Sequence, residues 1–243
     1  MHRLLVDTKE IFSPSPRLSA DAAAHLKVIR PKENETIGIF DGRGRERVCV
    51  WKNGALAAAG DAVSVEKRRN VVLFACLVKS ARWDWLVEKA TEVGVDRIVP
   101  VISARTVVRI DRSERSAKSA RWRKVAEESA RQSGGVFVPE ISPALDFREA
   151  VEEARRTECF ALALTDPPSP PLLGVLEESL GNGVSGSVGF FTGPEGDFTP
   201  EELSSLLEFA KPVSLGPSVL RAETASIFAL SVMSAVAIRA GFW

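Results

Sequence analysis

Four short, mainly apolar runs, at residues 71–78, 97–102, 159–164 and 187–191, most constrain what this chain can fold into. A run without polar alternation has both faces buried, which is the habit of strands in parallel sheets covered by helices. Helical spacing of apolar residues falls between the runs, at residues 83–93, 116–132, 148–156 and 172–180. Gly94 closes the first of these helices and Gly134-Gly135 the second. Strands alternating with helices predict an α/β domain with a mostly parallel sheet. Residues 212–215 are expected to add a short strand, and residues 166–171, rich in proline, a stiff loop.

The first 68 residues follow another pattern. Residues 35–51 alternate apolar and polar on both sides of Asp41-Gly42, the mark of a hairpin. Residues 62–65 repeat the alternation, and residues 19–29 form a short helix with Ser19 as its N-cap. A charged linker, residues 66–70, follows. Two domains are therefore expected: a small barrel-like β module at 1–69 and an α/β domain at 70–243.

Two Gly/Pro loops stand near the end of the chain. Thr192-Gly-Pro-Glu-Gly-Asp-Phe-Thr-Pro-Glu-Glu-Leu203 follows the run at 187–191, and Leu215-Gly-Pro-Ser-Val-Leu-Arg-Ala-Glu-Thr-Ala225 follows the one at 212–215. A strand, a glycine-bearing turn and a helix present backbone groups to a ligand at one edge of a sheet, so two such turns suggest one pocket. Within the first, Thr199-Pro-Glu-Glu202 is a capping box with proline at the first helical position. Glu195 accepts hydrogen bonds from a ribose, lies near a cation, or faces water. Glu223 suits a helix N-terminus, but Arg221 does not, so a carboxylate, a phosphate or a neighbouring chain is expected to pair with it. Residues 225–240 are apolar on nearly every face, which predicts a helix buried all round, in part by a second subunit.

Composition narrows the classes. Three widely spaced cysteines, Cys49, Cys76 and Cys159, fit neither a disulfide framework nor a zinc site and point to a reducing compartment. The start of the chain carries no signal-peptide pattern. The apolar run 227–238 is shorter than the about 20 residues of a membrane span. Phosphate-binding loop, dinucleotide and nucleophile-elbow motifs are absent, and neither His2 nor His25 has an obvious partner. A cytoplasmic protein without metal or membrane is expected. Net charge is zero, yet residues 1–140 hold 26 Lys and Arg against 18 Asp and Glu. The basic density peaks at Arg105, Arg109, Arg112, Arg115, Lys118, Arg121, Arg123, Lys124 and Arg131. It reads equally as a face for a polyanion or as a solvated helix face with Glu114, Glu127 and Glu128 as partners.

The paired motifs of residues 192–203 and 215–225 resemble those of the RsmE family, SPOUT-class methyltransferases acting on N3 of a uridine, uracil 1498, in 16S ribosomal RNA. His25-Leu-Lys-Val-Ile-Arg30, Phe40-Asp-Gly42, Lys79, Glu88-Lys-Ala-Thr-Glu-Val-Gly-Val95, Pro100-Val-Ile-Ser-Ala-Arg105 and Val138-Pro-Glu-Ile141 extend the likeness along nearly the whole chain. The resemblance implies a PUA-like N-terminal β-barrel for RNA. It also implies a C-terminal α/β SPOUT domain tied in a deep trefoil knot, against the general rule of unknotted chains. It further implies a homodimer holding S-adenosylmethionine at its interface.

Carried over, Thr192, Gly193, Glu195 and Gly196 line the cofactor from one side, and Leu215, Gly216, Val219, Leu220 and Arg221 from the other. Leu164 touches the adenine, and Glu223 and Thr224 fix the second loop. Arg221, Glu195 and Arg105 are the candidate catalytic residues; Arg3, Arg30, Lys79, Arg105 and Arg131 are the candidate RNA contacts. The chain departs from the family pattern at Gly196-Asp197, where the family often has two glycines. It departs again at Ser103-Ala104-Arg105, where a carboxylate is lost, and at Arg131 and Gly135, where an acid and an arginine are replaced. The partner is 16S ribosomal RNA or the small subunit. The alternatives are a SPOUT enzyme acting on another nucleotide and a non-catalytic, RNA-binding ribosome assembly factor.

Overall fold

The computed structural model describes residues 1–66, 70–163, 169–181 and 186–241, and the chain divides into two compact units. The first comprises Met1–Lys67 and Glu127–Val138; the second comprises Arg68–Ala126 and Pro139–Trp243.

In the first unit, β1 (His2–Leu5), α1 (Thr8–Ile11), α2 (Ala20–Ile29), β2 (Thr36–Phe40), β3 (Arg45–Lys52), β4 (Ala55–Ala58) and β5 (Val63–Ser64) follow in order. The strands form one mixed sheet in the order β1-β2-β3-β4, with β5 also on β3. β1 and β2 run parallel and the other pairs antiparallel. Leu4, Ile11, Leu26, Ile37, Ile39, Cys49 and Leu56 share its core. The expected hairpin is present: the Asp41 carboxylate accepts from the Arg43 and Arg45 N–H groups at 2.8 and 3.1 Å, and so folds the turn. Ser19 caps α2 as expected, accepting from the Ala22 N–H at 3.2 Å.

Residues 127–138 correct the expected domain boundary. Val138 N–H donates to the Gly42 carbonyl at 2.9 Å, and Gly44 N–H to the Val136 carbonyl at 3.0 Å. This later stretch thus closes on the hairpin turn of the first unit.

The second unit contains β6 (Asn70–Cys76), α3 (Ser80–Glu92), β7 (Arg97–Ile102), α4 (Arg115–Ser133, whose last turns belong to the first unit), β8 (Glu140–Ile141) and β9 (Leu145–Asp146). It continues with α5 (Phe147–Ala154), β10 (Glu158–Leu162), α6 (Leu172–Gly181), β11 (Ser187–Thr192), α7 (Pro200–Leu207), β12 (Lys211–Pro212) and α8 (Ala222–Arg239). The sheet runs β12-β10-β11-β6-β7-β8, with β9 also on β7, and every pairing is parallel. One face is filled by Phe74, Val99, Phe147, Phe191, Phe198 and Leu206.

The last expected strand, read at 212–215, is shorter and lies earlier, spanning Lys211–Pro212. Pro212 has no N–H to donate, and the strand sits at the sheet edge beside β10, where proline is tolerated.

Helix α8 packs on α3, α6, β11 and β6, while Thr224, Phe228, Ser231, Ala235 and Ile238 lie exposed along one stripe, so a single chain buries only part of the helix. By length and composition its 18 residues suffice to cross a membrane, longer than the apolar run alone suggested. Half of that span is buried in the protein, as in a core helix.

Candidate active site

Because β11 and β12 flank β10 and all three run parallel, the loops that follow β11 and β12 leave the same edge of the sheet. β6 lies on the other side of β11, so the start of α3 emerges at that edge too.

The first loop is a tight turn. Asp197 N–H donates to the Pro194 carbonyl at 2.9 Å. Asp197 itself has φ of 56°, the left-handed region where Asp is tolerated better than most residues. Its carboxylate accepts from the Phe198 N–H at 2.8 Å. The acid in place of a second glycine therefore adopts the glycine-like conformation and adds a hydrogen bond that locks it. Gly193 is a close approach: a Cβ there would stand 3.1 Å from Asp197 Oδ1 and 3.2 Å from the Phe198 ring.

Two further groups stitch this turn to the segment after β7. Thr199 and Glu202 form the expected capping box at the start of α7. One Glu202 oxygen accepts from the Thr199 N–H at 3.1 Å, while the other reaches the Ala104 N–H at 2.8 Å. Arg105 donates to the Gly196 and Phe198 carbonyls at 2.8 and 3.1 Å, and Arg109 to the Ser103 and Ala104 carbonyls at 3.0 and 2.9 Å. The backbone at Ala104 is thus served by a carboxylate from α7, although its own side chain carries none.

The second loop is open. Gly216 has φ of 125°, with no atom within 4 Å of where a Cβ would stand. Val219 is 77% exposed and Leu220 half-buried. Arg221 is the N-cap of α8; its side chain is exposed and makes no ion pair among the described residues, so of the expected partners no carboxylate is found among them. Glu223 turns inward instead, its side chain 7% exposed, with Oε1 3.8 Å from Arg82 and Oε2 buried without a hydrogen-bond partner. Arg82, in the first turn of α3, lies 3.0 Å from Glu195 of the first loop.

The structure brings Gly193, Glu195, Gly196 and Arg105 together around the first loop, and joins Glu195 to Glu223 through Arg82. The Thr192 hydroxyl is buried against α8, accepting from Ser226 at 3.0 Å, so its side chain faces the core and not the loop. Leu164 lies outside the described residues. Thr224 is exposed on the first turn of α8.

Of the candidate RNA contacts, Lys79 and Arg30 are exposed. Arg3 is not available: it is 9% exposed, bonded to the Gly135 carbonyl and Glu46 at 2.9 and 2.7 Å, and stacked 4.6 Å from the Phe40 ring. Arg131 is largely buried and pairs with Glu128 at 2.6 Å. Much of the basic stretch is likewise committed, with Arg112 and Arg115 on Asp146 and Arg121 on Asp84. Glu128, one of the expected acidic partners, is among these pairs.

Sequence reasoning missed Arg82 and the second bond of Glu202. The signal for Arg82 was present: a cation in the first turn of a helix opposes the macrodipole and calls for a partner. The Glu202 bond joins residues 98 apart in the chain and leaves no local mark.

Among the described residues no cluster of His, Cys, Asp and Glu is arranged to hold a metal ion. The three cysteines are free and buried, and burial pushes the Cys76 and Cys159 thiols up to about 12, so both stay protonated.

The all-parallel sheet, with glycine-bearing loops gathered at its carboxyl edge, meets a family pattern: that of an RNA methyltransferase domain matches residues 65–234. The chain is 31% identical over 248 residues to ribosomal RNA small subunit methyltransferase E of Bacillus subtilis, covering 96% of each chain. It also superposes on that methyltransferase from Neisseria gonorrhoeae, bound to S-adenosyl methionine, with a TM-score of 0.79, 28% identity and 96% of each chain covered. A protein from Legionella pneumophila in complex with the cofactor SAM gives 0.77 and 26%, covering 97% of each. These likenesses define an RNA methyltransferase. More narrowly, the chain belongs to the ribosomal RNA small subunit methyltransferase E family.

Proposed function

We propose that this protein transfers the methyl group of S-adenosylmethionine to N3 of uracil 1498 in 16S ribosomal RNA, as a cytoplasmic homodimer acting on the small subunit or its RNA. The observation that carries this reading is the emergence of both glycine-bearing loops at one sheet edge, the usual place for a ligand in a parallel α/β sheet. Two relatives of the same fold and length hold S-adenosylmethionine.

The residues present fit such a ligand. Gly216 leaves open space above its backbone, Val219 offers apolar surface, and Glu223 has a buried acceptor without a donor. Gly193, Glu195 and Gly196 would hold the cofactor from one side, and Leu215, Gly216, Val219, Leu220 and Arg221 from the other. When bound, S-adenosylmethionine supplies a methyl group on a sulfonium. The chain's own task is to hold the uracil in position and ease the loss of its imide proton. Glu195, partly exposed, accepts a hydrogen bond from the imide N–H, orients it, and takes the proton as the N3–methyl bond forms. Arg221, exposed and without an ion pair among the described residues, stabilises the negative charge that gathers on the uracil oxygens. Arg105 acts mainly by fixing the first loop, since it already serves two carbonyls there.

Arg30 and Lys79 contact phosphates. The N-terminal sheet serves as a PUA-like barrel for RNA, and the C-terminal loops belong to a trefoil knot. The exposed stripe on α8 supports a dimer, because Phe228 and Ile238 are large apolar groups left in water.

Calorimetric titration with S-adenosylmethionine and S-adenosylhomocysteine tests the cofactor assignment. Binding by the wild type that disappears in Gly193→Trp and in Gly216→Trp is expected. A folded wild type that binds neither compound contradicts the proposal.

A further inference from the structure

We propose that Arg82 is the positioning residue of this site, tying the first loop to the foot of the second through Glu195 and Glu223. The inference rests on the assignment of both loops to S-adenosylmethionine. Three facts carry it. Arg82 lies 3.0 Å from the Glu195 carboxylate and 3.8 Å from that of Glu223. One acid lies in the loop after β11 and the other in the first turn of α8, where the loop after β12 ends, and they would repel each other without a cation between them. Glu223 is more than nine-tenths buried, and a buried carboxylate stripped of its cation is strongly disfavoured.

The consequence is geometric. Arg82 is held by α3, whose start follows β6, so its guanidinium is anchored to the sheet rather than to either loop. Each loop is pinned to that fixed point by one carboxylate, and the gap between their backbones is set by the arginine. Glu223 shows only one oxygen to Arg82 at 3.8 Å; the other, buried and unpartnered, is left to accept from a polar hydrogen of the ligand. Removing Arg82 therefore loosens the cradle on both sides while leaving all backbone contacts in the chain.

S-adenosylhomocysteine binding by calorimetry, thermal unfolding of the free protein, and KM and kcat for S-adenosylmethionine test this. Arg82→Met is expected to weaken binding at least about tenfold, and to raise KM more than it lowers kcat. Arg82→Lys keeps the charge and is expected to restore affinity to within about threefold of wild type. Glu195→Gln, which removes the partly exposed half of the pair, should weaken binding too, and the double variant Arg82→Met/Glu195→Gln should be no worse than Arg82→Met alone. Affinity of Arg82→Met equal to wild type, or single effects that multiply in the double variant, overturns the inference alone. If Arg82→Met does not fold, Glu195→Gln with unchanged affinity overturns it. A wild type that binds no ligand overturns the cofactor assignment and this inference with it.

Discussion

Glu202 joins two segments that the chain separates by almost a hundred residues, and the cost of removing it follows from its two bonds. Its oxygens accept from the Ala104 and Thr199 N–H groups at 2.8 and 3.1 Å. A hydrogen bond to a charged group contributes about 1.5–3 kcal/mol when well buried. Glu202 is only half-buried and the Ala104 bond is open to solvent, so we take about 1 kcal/mol for each. Alanine's better helix propensity returns a few tenths. Glu202→Ala should thus lower stability by about 2 kcal/mol. Glu202→Gln retains one acceptor oxygen and should lose about half as much. Urea unfolding followed by tryptophan fluorescence suits the measurement, because Trp83 and Trp122 pack together 5.3 Å apart within the same unit. The Gln and Ala variants behaving alike, or either matching wild type within about 0.3 kcal/mol, would refute the two-bond account.

Other predictions follow from single residues. At position 197 the left-handed backbone and the Phe198 bond act together, so Asp197→Ala should cost about 1–2 kcal/mol and Asp197→Gly clearly less; equal losses in urea unfolding would contradict this. Burial pushes the Asp41 carboxyl up, but hydrogen bonds from the Arg43 and Arg45 N–H groups, the Thr8 hydroxyl and the Arg45 guanidinium outweigh it and hold the group below its ordinary 3.8. Its contribution is therefore complete above about pH 4 and fades as pH falls through the lowered folded value. The stability gap between wild type and Asp41→Asn should shrink over that acid range, and a gap that widens there would be evidence against it. Arg3→Met should unfold at lower urea, because it strips a buried cation from Glu46 and the Gly135 carbonyl. Lys79→Ala should leave stability unchanged while weakening RNA binding and flattening its salt dependence by about one unit of slope.

Much of the α/β unit was legible because its signals are local. The runs at 71–78 and 97–102 match β6 and β7 closely, and the Thr199 capping box stands where its motif placed it. The elements that escaped are those whose partners are distant. β1 has only four residues and gains its strand character by pairing with β2, thirty-five residues on. β4 hides behind alanines, poor strand formers, although the Asn53-Gly54 turn before it was a readable hairpin signal. Residues 127–138 belong with the first unit through hydrogen bonds to Gly42 and Gly44, which no window of sequence contains. At the site, the loop residues were legible from their glycines, whereas their tethers were not. Arg3 and Arg131 look like any surface arginine until Glu46, Gly135 and Glu128 are seen around them.

The central claim is methyl transfer to one nucleotide. The direct measurement is incubation of the wild-type protein with isotopically labelled S-adenosylmethionine and small ribosomal subunits lacking the modification, followed by nucleoside mass spectrometry and mapping of the label. The account predicts 3-methyluridine at position 1498 of 16S ribosomal RNA. Label in another nucleoside, or none from a protein shown to bind the cofactor, would contradict it.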